Sequence, residues 1–252
     1  VYGITTGFGE FSKVSISKEQ AGELQRNLII SHSCGVGDHF PEEVVRAIMV
    51  LRVNALSKGF SGIRLETING LVEMLNKGVH PAIPEKGSLG ASGDLAPLSH
   101  MVLPLIGEGE AYYQGKLMNG AEAMKAAGIT PVRLTSKEGL ALINGTQVMT
   151  AVGLLTAYDA MNLSKLCDIS ASLTIEALNG ITDAFMPELH EVRPHAGQIT
   201  TAKNLLRILE GSERTTHQGE LRVHDAYSLR CLPQLLGASK DAIQLVLYDV
   251  PL

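Results

Sequence analysis

At 252 residues with 45% hydrophobic content, the chain is long enough to bury a sizeable core; aromatics make up only 4% and Trp is absent, so Leu, Ile, Val, Ala and Met must fill it. A formal net charge of -5, with basic residues scattered rather than clustered, argues against a nucleic-acid or anionic-membrane partner. Cys34, Cys167 and Cys231 are odd in number, far apart and without CxxC spacing, which fits a reducing, cytoplasmic compartment better than a disulfide framework. No signal-peptide pattern opens the chain, and no apolar run is read as approaching the ~20 residues of a membrane helix.

The first strong helical signal is Pro41 with Glu42 and Glu43, followed by Val45, Ile48, Met49, Val53 and Leu56 on one face until Gly59. A second helix, Ile63 to Leu75, places Ile68, Leu71, Val72 and Leu75 on its apolar side and ends at Gly78, before Pro81 and Pro84 impose an extended loop. A short apolar helix starts near Asp94. Tyr112 to Leu117 reads as a small hairpin and is the one convincing strand signal. From Ser136 onward the pattern is helical: Ser136 to Tyr158, a helix capped by Asn162 toward Leu178, Gln198 to Leu209, and Leu229 to Leu247. The predicted fold is mainly α, a helical bundle with a smaller, loop-rich N-terminal part and minor β. An organisational division near Gly128 to Pro131 gives an N-terminal part of residues 1–130 and a bundle part of 131–252.

Between the loop of Pro84 and the helix after Asp94 lies Gly90-Ala-Ser-Gly-Asp-Leu-Ala-Pro-Leu-Ser99. Its Ala91-Ser92-Gly93 triplet can become an electrophile made from the backbone itself. If the Gly93 nitrogen attacks the Ala91 carbonyl carbon and Ser92 then loses water, the product is a methylidene-imidazolone (MIO) ring. Gly93 suits this because a residue without Cβ allows close approach and strained φ/ψ values. The alternative is an ordinary glycine turn capped by Asp94.

The longer run resembles the signature of the aromatic amino acid ammonia-lyases. Three further stretches resemble the family in the family's order: Val1-Tyr2-Gly-Ile-Thr-Thr-Gly-Phe-Gly9, Asn144-Gly-Thr-Gln147, and Asp225-Ala-Tyr-Ser-Leu-Arg-Cys231. Ser31-His32, followed by Ser-Cys-Gly-Val-Gly, is similar to the histidine-selective branch. The resemblance implies non-oxidative deamination of L-histidine to urocanate and ammonia, through an MIO formed autocatalytically from Ala91, Ser92 and Gly93, with no dissociable cofactor. It implies a homotetramer with shared active sites. A phenylalanine or tyrosine ammonia-lyase or an MIO aminomutase would use the same triplet. The non-enzymatic alternative is an inactive helical fragment.

Carried over residue by residue, Tyr2 is the base that takes the β-proton and Tyr227 lines the site and assists polarisation of the ring. Asn144 orients the substrate carboxylate or the ring oxygen. Arg230 grips the carboxylate, since a planar guanidinium offers two parallel hydrogen bonds and stays charged. His32 is the substrate-selective contact, able to hydrogen-bond an imidazole. The structural alternatives are a helix-capping Asn144, a core Tyr227, a surface or ion-paired Arg230 and a satisfied core His32. His100 is expected to be structural, and the remaining histidines show no zinc pattern, so no metal is predicted. The chain opens inside a catalytic-loop motif and matches no acidic residue of the family's C-terminal helices; it is expected to be a piece of a longer protein and inactive alone.

Overall fold

The computed structural model describes residues 4–7, 9, 13–15, 17–89 and 93–249. Its contacts gather into two units, residues 1–152 and 153–252. The expected division at 130 differs from this one because residues 131–152 are tied to the first unit. Val132 N–H donates to the Leu105 carbonyl at 2.8 Å, and the Glu138 carboxylate is bound by Arg64 and Thr67.

The first unit begins with α1 (Lys18–His32), closed at its N-terminus by a capping box in which Ser17 and Gln20 each accept from the other's backbone N–H. A strand β1 (Val36–His39) leads to α2 (Glu42–Ser57) and α3 (Leu65–Lys77). Gly78 stops α3 in the left-handed conformation, φ +72°. Val79–Pro81 (β2) and Pro84–Lys86 (β3) form where an extended loop was expected. The two prolines force extension, and sitting at a strand end and a strand start they leave the ladder bonds to their neighbours. Next come α4 (Leu95–Val102), a hairpin of β4 (Glu110–Tyr113) and β5 (Lys116–Asn119), α5 (Gly120–Ala126) and α6 (Glu138–Ile143). The hairpin turns on Gln114 and Gly115, both at positive φ. β1 pairs with β3, and β2 joins β4 and β5 in a three-stranded antiparallel sheet, so the hairpin is one part of a slightly larger β content. Ile29, Ile48, Met49, Leu71, Met74, Leu98, Met101 and Leu142 are fully buried in the core of this unit.

α7 (Gln147–Ala177) carries the chain from one unit into the next. The sequence pattern suggested one helix running from Ser136 to Tyr158 and another capped by Asn162. Instead the break falls at residues 144–146, and Asn162 lies inside α7. A lone Asn costs a helix interior only ~0.7 kcal/mol, too little to interrupt a long run of good helix formers. The stretch Glu138–Ala177 contains a window of mean hydropathy 1.4, long and apolar enough by composition to cross a membrane, contrary to the sequence expectation; a third of that window is buried within the protein.

In the second unit, α8 (Pro187–Glu191), α9 (Ala196–Ile208), α10 (Tyr227–Arg230) and α11 (Leu232–Asp249) follow. The helix expected over 229–247 is interrupted at Cys231, where Pro233 in the first turn of α11 marks a new start. Ile175, Phe185, Ala202, Leu205 and Leu209 form the core. Asp168 on α7 is buried and accepts from Lys240 of α11 at 2.6 Å and from Asn204 of α9 at 2.9 Å, which ties these three helices together.

Candidate active site

Gly93 is the one residue of the Ala-Ser-Gly triplet among the described residues; Ala91 and Ser92, with Tyr2, lie outside them. Its φ is +90°, and a Cβ placed on it would sit 2.2 Å from the Gly145 carbonyl oxygen. Both facts exclude any other amino acid without rearrangement. Among the described residues the Gly93 nitrogen makes no hydrogen bond, whereas the next amide, Asp94 N–H, donates to the same Gly145 carbonyl at 2.8 Å. The seat of Gly93 therefore fits an MIO: its nitrogen is unengaged among the described residues, and the Gly145 backbone stands against its α-carbon.

Asp94 occupies the N-cap position of α4, but its side chain does not cap that helix. It is fully buried and accepts instead from Met149 N–H in the first turn of α7, at 2.8 Å, and from Ser88 Oγ at 2.5 Å. A carboxylate at the positive end of α7 is favoured by the helix dipole. One side chain thus binds the start of α7 to the turn that begins α4.

Asn144 closes α6 as its C-cap, and its exposed side chain is not used in capping. The loop from it to α7 is gripped by Arg52 of α2, 4% exposed, whose Nη2 donates to the Asn144 carbonyl at 3.0 Å and to the Ala141 carbonyl. Arg52 Nη1 donates to Gln147 Oε1 at 2.6 Å. Burial pulls the Arg52 pKa down to about 10. Sequence reasoning missed Arg52, although the signal was present: it falls on the Val45, Ile48, Met49, Leu56 stripe, where a charge has no place unless it has work to do.

In the first turn of α6, the buried Glu138 carboxylate accepts from Arg64, Thr67, Thr135 Oγ1 and the Thr135 amide at 2.7 to 3.2 Å. Burial opposes its charge, yet the hydrogen bonds, that to Arg64 foremost, outweigh it and hold the pKa at about 2. His32 ends α1, which packs on α4 and α6. Its Nδ1 lies 2.9 Å from the Leu28 carbonyl and 3.1 Å from Ser31 Oγ, so its recorded bonds all fall on that one nitrogen. His100 Nε2 accepts from Gly35 N–H at 3.1 Å, and burial lowers its pKa, in keeping with a structural neutral imidazole.

In the second unit, Tyr227 opens α10 and is 74% exposed, which removes the reading of a core tyrosine within this chain. Arg230 is also exposed, as a surface arginine would be, and it makes no ion pair among the described residues: its Nε donates to the Asp225 carbonyl at 3.0 Å, and its terminal nitrogens have no partner among those residues. It borders a cavity of about 480 Å³, with His190, His224 and Gln234 also on the wall. Asp225, buried, fixes this segment by accepting from Ile181 N–H at 2.7 Å and from Arg222 Nε at 2.6 Å. The first residue of the Asp-Ala-Tyr-Ser-Leu-Arg motif is thus an anchor, a role its spacing alone did not reveal.

A family model described as aromatic amino acid lyase matches residues 1–250. The chain belongs to the aromatic amino acid lyase family. It is 74% identical over 246 residues to a histidine ammonia-lyase of Alkaliphilus oremlandii, covering 98% of this chain and 48% of that protein. Among solved structures it is similar to the phenylalanine aminomutase of Pantoea agglomerans (TM-score 0.94, 37% identity, 99% of this chain and 52% of that one). It is also similar to the histidine ammonia-lyase of Trypanosoma cruzi (TM-score 0.85, 40% identity, 97% of this chain and 44% of that one). The chain spans about half the length of the curated relatives it matches.

Proposed function

We propose that the protein to which this chain belongs is a histidine ammonia-lyase, releasing ammonia from L-histidine to give urocanate. The observation that carries the chemistry is the seat of Gly93, at φ +90° against the Gly145 carbonyl with its nitrogen unengaged among the described residues. Ring closure joins the Gly93 nitrogen to the Ala91 carbonyl carbon, whose oxygen leaves as water. The Ser92 hydroxyl and α-hydrogen leave as a second water. The MIO so formed supplies an electrophile that draws substrate electrons, which neither a side-chain acid nor a base can do.

Tyr2 takes the β-proton. A phenol of ordinary pKa near 10 must be lowered to do so at neutral pH, and a helix N-terminus, such as those of α4 and α7 just after Gly93 and Gly145, has a field of the right sign for that. The terminal nitrogens of Arg230 bind the substrate carboxylate side by side. Asn144, its side chain exposed at the end of α6, orients that carboxylate or the ring oxygen, and Tyr227 assists polarisation. His32 Nε2 faces the substrate imidazole and favours it over an apolar ring. The preference for histidine over the aminomutase reading is supported by 74% identity to a histidine ammonia-lyase against 37% to the aminomutase.

A homotetramer is supported by the exposed apolar side chains Leu163, Leu166 and Leu173 along α7, and a cytoplasmic location by three unpaired cysteines. The test combines intact mass with urocanate absorbance on the full-length protein. Wild type is expected to be lighter than its sequence by two waters and active; Ser92→Ala is expected to keep its fold, to show no loss of the second water and to lose at least ~1,000-fold in kcat. Near-normal turnover by Ser92→Ala would overturn the reading. The 252-residue chain alone is expected to release little or no ammonia.

A further inference from the structure

Arg52 is a buried charge that the proposed chemistry does not use. Among the described residues it has no carboxylate partner: its acceptors are the carbonyls of Ala141 and Asn144 and the amide oxygen of Gln147, and its Nε is buried without a partner. Those acceptors all lie on one short stretch, the end of α6 and the start of α7. At its centre is Gly145, where an added Cβ would fall 2.2 Å from Arg52 Nη1 and 2.1 Å from Gln147 Oε1. The Arg52–Gln147 pair therefore closes over one side of Gly145. On the other side the Gly145 carbonyl abuts Gly93 and accepts from Asp94 N–H at 2.8 Å. The Gly145 peptide group thus lies between Arg52 of α2 and Gly93.

We propose that Arg52 is a positioning residue for ring closure: by holding the 141–147 corner through three hydrogen bonds, it presses the Gly145 carbonyl against Gly93 and keeps Gly93 in the positive-φ conformation from which its nitrogen reaches the Ala91 carbonyl. The bond that forms is Gly93 N to Ala91 C, and two waters leave, as set out above. A guanidinium is suited to this because its rigid fork bonds divergent acceptors at once, whereas a lysine ammonium is a point donor on a flexible stem. This inference rests on the lyase reading and adds to it a device that fixes the turn.

The experiment uses the full-length protein with Arg52→Met, Arg52→Lys and, as a milder variant, Gln147→Met, which leaves the two carbonyl contacts of Arg52 in place. Intact mass followed over time after folding reads ring closure, and hydrogen exchange reads the Asp94 amide and those of residues 146–149. Arg52→Met is expected to slow the two-water loss roughly tenfold or more and to raise Asp94 exchange by a similar factor. Arg52→Lys should fall between it and wild type. kcat should drop in proportion to the uncyclised fraction, with KM for histidine changed less than about twofold. A purely structural arginine would lower the melting temperature but leave the rate of water loss and Asp94 exchange untouched, and that result would overturn the proposal. If Arg52→Met does not fold, Gln147→Met decides: slowed closure supports the proposal and a wild-type rate overturns it. A wild type that loses no water would instead overturn the lyase reading, and Asp94 exchange in the variants would still decide whether Arg52 holds the corner.

Discussion

Around Gly93, the polar groups close to the turn are tied to structure: Asp94 to Ser88 and Met149, the Gly145 carbonyl to Asp94, the Asn144 carbonyl to Arg52. Around Arg230 the anchoring stops at the backbone and at Asp225, while Tyr227 is exposed and the Arg230 terminal nitrogens have no partner among the described residues. The contrast follows from what each region is proposed to do. A turn that must store strain needs neighbours that cannot yield, because strain persists only where the surroundings over-determine it. A residue that must bind a carboxylate needs unspent donors, because a guanidinium already paired has little left to offer.

If the Gly93 region is the rigid one, the largest effect should come from intruding on it. Gly93→Ala adds a Cβ where the Gly145 carbonyl oxygen stands 2.2 Å away and imposes positive φ on an L side chain. It is expected to abolish the two-water loss in the full-length protein and to destabilise it by ~3 kcal/mol or more, read by intact mass and denaturant unfolding. A variant that cyclises normally would break the comparison.

The buried charge at the start of α6 gives the next largest effect. The Glu138 carboxyl is held at about 2 against an ordinary 4.5, so its folded pKa lies below its unfolded one. Its stabilisation is therefore complete above about pH 4.5 and lost as pH falls toward 2, ~3 kcal/mol in total. Urea unfolding at pH 6, 4 and 3 should show this acid limb in wild type and its flattening in Glu138→Gln. Equal acid limbs in both would remove Glu138 from the frame.

In the exposed segment, Arg230→Lys keeps the charge but not the paired donors. The expected loss is roughly ten- to a hundredfold in kcat/KM with histidine in the full-length enzyme, at unchanged melting temperature. A large fall in melting temperature would mean that Arg230 serves the fold, against its exposure. The smallest effect is expected from His32→Leu, about tenfold lower kcat/KM on histidine relative to phenylalanine. An equal loss on both substrates would assign His32 to the end of α1 rather than to the ring.

Much of the frame was readable one segment at a time. The apolar stripes of α2 and α3, the Gly78 stop and the Gln114-Gly115 turn are local, and a helix face or a positive-φ position leaves its mark within a few residues. The errors came where distant residues decide. The Asn144 to Thr146 break was read as helix interior although Asn-Gly is a local breaker, and Arg52, which binds its carbonyl, stands far away in sequence; Asn162 looked like a cap because Asn is a common one. Asp94 was read at the right position for a cap but for the wrong helix, since its partner Met149 comes from a segment no local pattern connects to it.

The sequence by itself determined the helical character of the chain, the place of the Ala-Ser-Gly triplet and the family, because propensity, periodicity and motif order are properties of neighbouring residues. Only the tertiary structure decided that Gly93 is shut against the Gly145 carbonyl, that a buried arginine holds the loop behind it, and that the Arg230 terminal nitrogens have no partner among the described residues. Those outcomes depend on which buried polar groups find partners. A donor or acceptor taken out of water must be satisfied by whatever the fold brings within ~3 Å, wherever that residue lies in the chain.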